Sequence, residues 1–267
     1  MLGKNQQKTI MTAASSPVII TYHSISAGNS PLRIPPALFA AHMEWLKAHA
    51  LVVPLARLLQ ALVAGAAFPQ RAVALTFDDG FRDFASDAAP ILRKLALPAT
   101  VFLPTDYCGR ANDWPGQPAW VKAQPLMDWP QIRELAAQGI SFGAHSRTHR
   151  ALTGLEPAEA DEEIRSSRIE IEKQINSTVT HFCYPYGLWN SAVRESVARH
   201  YQGACSTAAG VLEPHSDPYA LPRVDAHYLR RPSVLQSMFT RRFSAYITGR
   251  RWIRRVRGQP EGNYARL

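Results

Sequence analysis

The chain has 267 residues, 46% of them hydrophobic and 19% charged, which is enough to bury a sizeable core and excludes a chain disordered throughout. Its formal net charge of +9 is local, because ten arginines and one acid follow residue 229 while the preceding part balances 20 basic against 20 acidic side chains. That distribution argues against a nucleic-acid-binding main body and for a basic appendage.

Three scattered cysteines with no CxxC pair fit neither a disulfide scaffold nor a thiolate zinc site. No apolar run reaches the roughly 18 to 20 residues of a membrane-crossing helix. Residues 1–16 hold two lysines and no apolar core of signal-peptide length, so a loose tail on a cytoplasmic chain is expected. From residue 17 onward, short apolar runs predict strands at Val18–Tyr22, Val52–Pro54, Val73–Phe77, Thr100–Leu103, Ile140–Ala144, His181–Tyr184, Gly203–Ser206 and Ala220–Arg223. Apolar spacing near 3.6 predicts helices at Leu38–His49, Ala56–Ala64, Phe84–Lys94, Trp129–Gln138, Pro157–Ile175, Trp189–His200 and Val234–Ile247. Pro157 at a helix start and Gly139 after a helix end mark boundaries. The alternation implies parallel strands covered by helices, hence an α/β sheet or barrel over residues 17–248, followed by a basic tail at 249–267. The Gly-, Pro- and Asp-containing stretch Thr105–Pro125 is a long loop of the kind that carries function.

In such folds chemistry gathers at the carboxyl ends of the strands. Two polar clusters lie there. Leu75-Thr76-Phe77-Asp78-Asp79-Gly80 ends an apolar run in two adjacent carboxylates, which repel unless a cation or a proton intervenes. One carboxylate on a metal and the other as a base is the simplest division of labour; the bland alternative is a helix N-cap. His145-Ser146-Arg147-Thr148-His149 follows another strand, and histidines at i and i+4 reach one ion if the segment makes a helical turn. Two surface histidines are the plain alternative, since the chain has nine. Together the clusters supply a carboxylate and two imidazoles, an open three-ligand site for a hydrolytic divalent metal.

These two blocks, with a third at Phe182-Cys183-Tyr184-Pro185-Tyr186-Gly187, resemble in order and spacing the polysaccharide deacetylase family, the NodB-homology or carbohydrate esterase 4 group. The resemblance spans roughly Pro17 to Arg223 and implies a distorted (β/α) barrel. It implies a hydrolase that removes the N-acetyl group of an amino sugar and releases acetate, with a divalent metal, zinc foremost. Carried over by position, Asp79, His145 and His149 bind the metal, Asp78 is the general base, and the Tyr186 backbone N–H faces the oxyanion. The chain departs from the pattern twice. Cys183 stands where many members have an arginine that orients the base, and no clear late Leu-x-x-His follows Arg223. Tyr22-His23-Ser24-Ile25 is similar to the subgroup of poly-N-acetylglucosamine deacetylases whose acid motif is permuted to the N-terminus, which makes His23 the candidate proton donor. Arg223 is the candidate cation beside Asp78, and His227 is a rival acid. Non-sugar amide hydrolysis and a catalytically inactive carbohydrate-binding relative stay open.

The helix Val234–Ile247 reads as one that closes the barrel, with Val234, Leu235, Met238, Phe239, Phe243, Tyr246 and Ile247 on one stripe. Beyond it, residues 250–257 hold five arginines with Trp252, Ile253 and Val256 interleaved, a pattern that suits an anionic membrane surface and equally a solvated tail or a nucleic-acid contact. A peripheral protein acting on a lipid-linked or nucleotide-linked N-acetyl sugar is the resulting expectation. Trp114 and Trp120 in the long loop are expected to stack on a sugar or to anchor the loop.

Overall fold

The computed structural model describes residues 16–28 and 30–256. The expected N-terminal tail thus lies, except for Ser16, outside the described residues, as does the basic tail from residue 257. Eight parallel strands alternate with helices: β1 (Val18–Tyr22), β2 (Leu51–Val52), β3 (Ala72–Phe77), β4 (Thr100–Leu103), β5 (Ser141–Ala144), β6 (His181–Cys183), β7 (Gly203–Ala209) and β8 (Leu221–Asp225). Seven of them close into a barrel in the order β1-β8-β7-β6-β5-β4-β3, with β3 returning to pair along the whole of β1. The distortion is at β3. Its second edge is divided, β2 pairing with Ala72 and Val73 and β4 with Thr76 and Phe77. This is the expected distorted (β/α) barrel.

The helices follow α1 (Pro36–His49), α2 (Leu55–Val63), α3 (Ala89–Leu95), α4 (Trp129–Ala137), α5 (Pro157–Ile175), α6 (Ser191–His200), α7 (Pro232–Gln236) and α8 (Arg241–Val256). Prolines in the first turn start α1, α4, α5 and α7, where the missing N–H is not needed. Asp128 and Gln131 close a reciprocal capping box on α4. The barrel interior is filled by Ile19, Ala74, Phe102, Cys183, Cys205 and Leu221. α2 seals the amino end of the barrel with Leu58, Leu59 and Leu62, Leu59 lying against Gly203 at the start of β7. A larger apolar layer joins the outer strand faces to the helices.

Two predicted helices are interrupted. Residues Phe84–Ala88 form a π-helical turn before α3. Pro90 has no N–H and crowds the carbonyl four residues back, so the ladder slips and Ala89 N–H bonds to the Phe84 carbonyl instead. The predicted Val234–Ile247 helix is broken into α7 and α8. Phe239 adopts a left-handed φ of 71°, its ring lies 4.7 Å from the Arg71 guanidinium carbon, and Thr240 Oγ1 accepts the Phe243 N–H to start α8. Phe243 and Ile247 are buried, whereas Tyr246 faces solvent. α8 runs without a break across the expected 248/249 boundary.

Candidate active site

The site lies at the carboxyl ends of β1, β3, β5, β6 and β8. β3 delivers Asp78 and Asp79 at its last turn, where Asp79 and Gly80 are both left-handed, with φ of 70° and 69°. Glycine is required at the second position because a Cβ there would sit 2.7 Å from Leu103 Cδ2. The two carboxylates therefore diverge. Asp79 Oδ1 lies 3.5 Å from His145 Nε2 and 3.3 Å from His149 Nε2, and the three donor atoms fall within 4.8 Å of one another.

The His145–His149 segment is not helical, contrary to the expected turn. It is a bend in which Ser146 and His149 have φ of 61° and 57°. Glu163 of α5, buried beneath it, accepts the N–H groups of Arg147 and Thr148 on one oxygen and the Thr148 hydroxyl on the other. His145 Nδ1 bonds the Cys183 carbonyl at 2.7 Å, which fixes the tautomer and turns Nε2 toward Asp79. Burial first, and then the charge of His149, pulls the His145 pKa down to about 4. The imidazole is thus neutral, the form that binds metal. His149 is held between Trp114, stacked at 4.0 Å, and Tyr186, edge-on at 4.8 Å. A carboxylate and two imidazole nitrogens on one cleft wall are the donor set of an open hydrolytic metal site, and these residues fit one divalent ion.

Asp78 serves a different partner. Arg223 of β8 grips it through two 2.7 Å hydrogen bonds, Nη1 to Oδ1 and Nη2 to Oδ2. The remaining guanidinium contacts run to the Ser206 carbonyl, Thr21 Oγ1, Thr76 Oγ1 and Cys183 Sγ. Arg223 is buried, yet every donor nitrogen is used. The register slips between β7 and β8, where Cys205 and Ala209 match Leu221 and Arg223, and this irregularity opens the inner wall around Ser206. Small Cys183 leaves room for the guanidinium. Burial alone would raise the Asp78 pKa, but Arg223, with His23 and His145 adding to it, holds this carboxyl well below the usual range. A second possible metal group, Asp78 with His145 and Cys183, has its carboxylate already engaged. Burial also pushes the Cys183 thiol far up, so it stays protonated.

His23 follows β1, and its Nε2 lies 3.8 Å from Asp78 Oδ2. The turn that carries it is pinned by Asp83, which accepts from the Ser24 hydroxyl and the Ile25 N–H. Tyr186 follows β6 with φ of 57°. The next residue must be glycine, since a Cβ at Gly187 would meet Thr207 Oγ1 at 1.9 Å. His23, Asp79, His145, His149, Tyr186 and the loop tryptophans line one cleft. Trp114 is buried and anchors the loop, whereas Trp120 is 40% exposed. His227, the rival acid, is not among the lining residues. Sequence reasoning missed Glu163 and Asp83. An acid on a helix or in a turn carries no local sign of the N–H groups it will meet.

A (β/α) barrel with this pair of carboxylates, one beside two imidazoles and one held by an arginine, has the parts of a metal-assisted hydrolase. The chain belongs to the polysaccharide deacetylase family: residues 65–202 match its sequence profile, described as Polysaccharide deacetylase. It is 30% identical over 231 residues to YxkH of Bacillus subtilis, a protein named as a polysaccharide deacetylase, covering 86% of this chain and 75% of that one. It is 27% identical over 197 residues to the poly-β-1,6-N-acetyl-D-glucosamine N-deacetylase of Staphylococcus epidermidis, covering 70% of this chain and 65% of that protein. Among solved structures, the Streptococcus pyogenes deacetylase PplD in complex with acetate has the same fold, with a TM-score of 0.73 and 24% identity over 84% of this chain and 98% of that one.

Proposed function

We propose that this protein removes the acetyl group from an N-acetylated amino sugar in a glycan or glycan precursor, using a divalent metal held by Asp79, His145 and His149. The observation that carries the proposal is the convergence of those three donors beside a second carboxylate that Arg223 keeps ionised. Zinc suits the nitrogen-rich donor set. An ion bound there supplies Lewis acidity toward the acetyl oxygen and lowers the pKa of water to near neutrality.

The protein groups then divide the proton traffic. Asp78 is ionised at any working pH, and Arg223 fixes both of its oxygens, so it orients water and accepts a proton from it. So acidic a carboxyl is a weak base, which is why the water must itself be made acidic. The Tyr186 backbone N–H donates to the developing oxyanion. His23, on the cleft wall beside Asp78, protonates the leaving nitrogen. Trp120 offers an exposed indole face for a sugar ring. The arginine-rich end of the chain supports a lipid-linked substrate over a free polymer. The test is acetate release by metal-loaded and metal-stripped protein from N-acetylglucosamine oligomers and from simple non-sugar N-acetyl amides. Metal-dependent release from the oligomers is expected. Release only from the non-sugar amides would overturn the sugar assignment, and none from either at full metal occupancy would overturn the enzyme reading.

A further inference from the structure

α8 carries two apolar stripes. One, Phe243 and Ile247, is buried against the barrel. The other is formed by Ala245, Tyr246, Gly249, Trp252, Ile253 and Val256, spaced to fall on one arc of the helix, and all six are exposed. Trp252 and Val256 are 65% and 64% exposed. Positions 250, 251, 254 and 255, all arginine, occupy the opposite arc. No residue described after Ile247 is buried, so the last turns leave the barrel as an amphipathic helix with aromatic and basic sides.

The course of α8 decides where that helix points. Just before α8 begins, Phe239 stacks on Arg71, the residue preceding β3, at the amino end of the barrel. Nine residues into the helix, the Arg250 guanidinium carbon lies 4.6 Å from the ring of Tyr228, which follows β8 at the carboxyl end. The remaining six residues, at 1.5 Å each, project about 9 Å past that end. It is the end that carries the catalytic cleft. The exposed tryptophans Trp120, in the cleft lining, and Trp189, in the loop after β6, lie at the same end. Indoles favour the membrane–water interface. From residue 230 to residue 256 there are eight arginines and no acid.

We infer that the carboxyl end of the barrel is a docking face for an anionic lipid bilayer, with the end of α8 inserted along the headgroups and the cleft opening toward the membrane. Its substrate corollary, an acetylated sugar held at the bilayer, rests on the deacetylase reading; the docking itself does not. The charge complementarity selects an anionic surface, and the apolar arc selects a lipid interface over a nucleic acid.

The full chain is sedimented with phosphatidylcholine vesicles, with and without phosphatidylglycerol, and with duplex DNA as competitor. Binding is expected only to the anionic vesicles. Arg251→Glu should weaken it by about fivefold or more, and Trp252→Ser with Val256→Ser, both at exposed positions, by about tenfold or more. Fluorescence quenching by brominated lipid should lose amplitude in both Trp252→Phe and Trp189→Phe. Equal binding to neutral and anionic vesicles, or insensitivity to the Trp252/Val256 change, overturns the inference. So does displacement by DNA at equal charge. Quenching lost in Trp252→Phe but not in Trp189→Phe overturns the orientation. Acetate release from soluble oligomers without vesicles should be unchanged in these variants, so failed docking and a failed deacetylase reading give separate signatures.

Discussion

The two ends of the barrel are built on opposite principles. At the amino end, α2 seals the strands with Leu58, Leu59 and Leu62, and the neighbouring interior is apolar. At the carboxyl end the chain buries Asp78, Asp79, His145, His149 and Arg223, and holds Asp79, Ser146, His149 and Tyr186 at positive φ. Left-handed backbone at residues other than glycine costs stability, as does burial of charge. The comparison teaches that one end supplies the stability on which the other depends. It also teaches that the polar end is held by charged partners brought in from other elements, Glu163 of α5, Asp83 of the turn after β3 and Arg223 of β8.

The contrast is tested most severely at the metal donors. Asp79→Ala should abolish stoichiometric metal binding, measured by elemental analysis, and lower acetate release by more than about a thousandfold, with secondary structure intact. Undiminished metal content would place the ion elsewhere. Next come the proton carriers. Asp78→Asn and His23→Ala should keep the metal and lose about 10²- to 10⁴-fold in kcat. A His23 variant with unchanged kcat would remove it as the acid.

Arg223→Met probes the coupling between site and fold. It leaves Asp78 buried without its guanidinium partner, so a loss of about 3–5 kcal/mol in urea denaturation is expected, and adding Asp78→Asn should restore part of it. A single variant as stable as the parent would show that the pair is not a structural element.

The smallest expected effect lies away from the metal donors. Burial holds the pKa of His42 at about 4, with a backbone bond at Leu229 opposing it in part, and burial alone does the same for His181 near the amino end. The unfolded chain titrates these groups near 6.5 and so binds more protons between pH 6.5 and 4. Their contribution is therefore complete above about pH 6.5 and is lost as the pH falls toward 4, by up to about 3 kcal/mol each. Urea midpoints at pH 7 and pH 5 measure it. A His181→Asn variant with the same pH slope as the parent would exclude His181.

Local pattern determined much of this molecule. The order of strands and helices, the prolines that start the helices and the glycines after Asp79 and Tyr186 are written in nearest-neighbour physics: side-chain periodicity, a missing N–H, a missing Cβ. Because parallel strands present their carboxyl ends together, Asp78, Asp79, His145 and His149 could be grouped from the ends of apolar runs alone. Only the tertiary structure decided that Arg223 grips Asp78 from 145 residues away, through a register slip that no local signal announces. It also set the His145–His149 bend over Glu163 and turned Tyr246 away from the core. These outcomes depend on which backbone groups and cavities barrel closure brings together, and pairings between residues far apart in sequence exist only once the chain has closed.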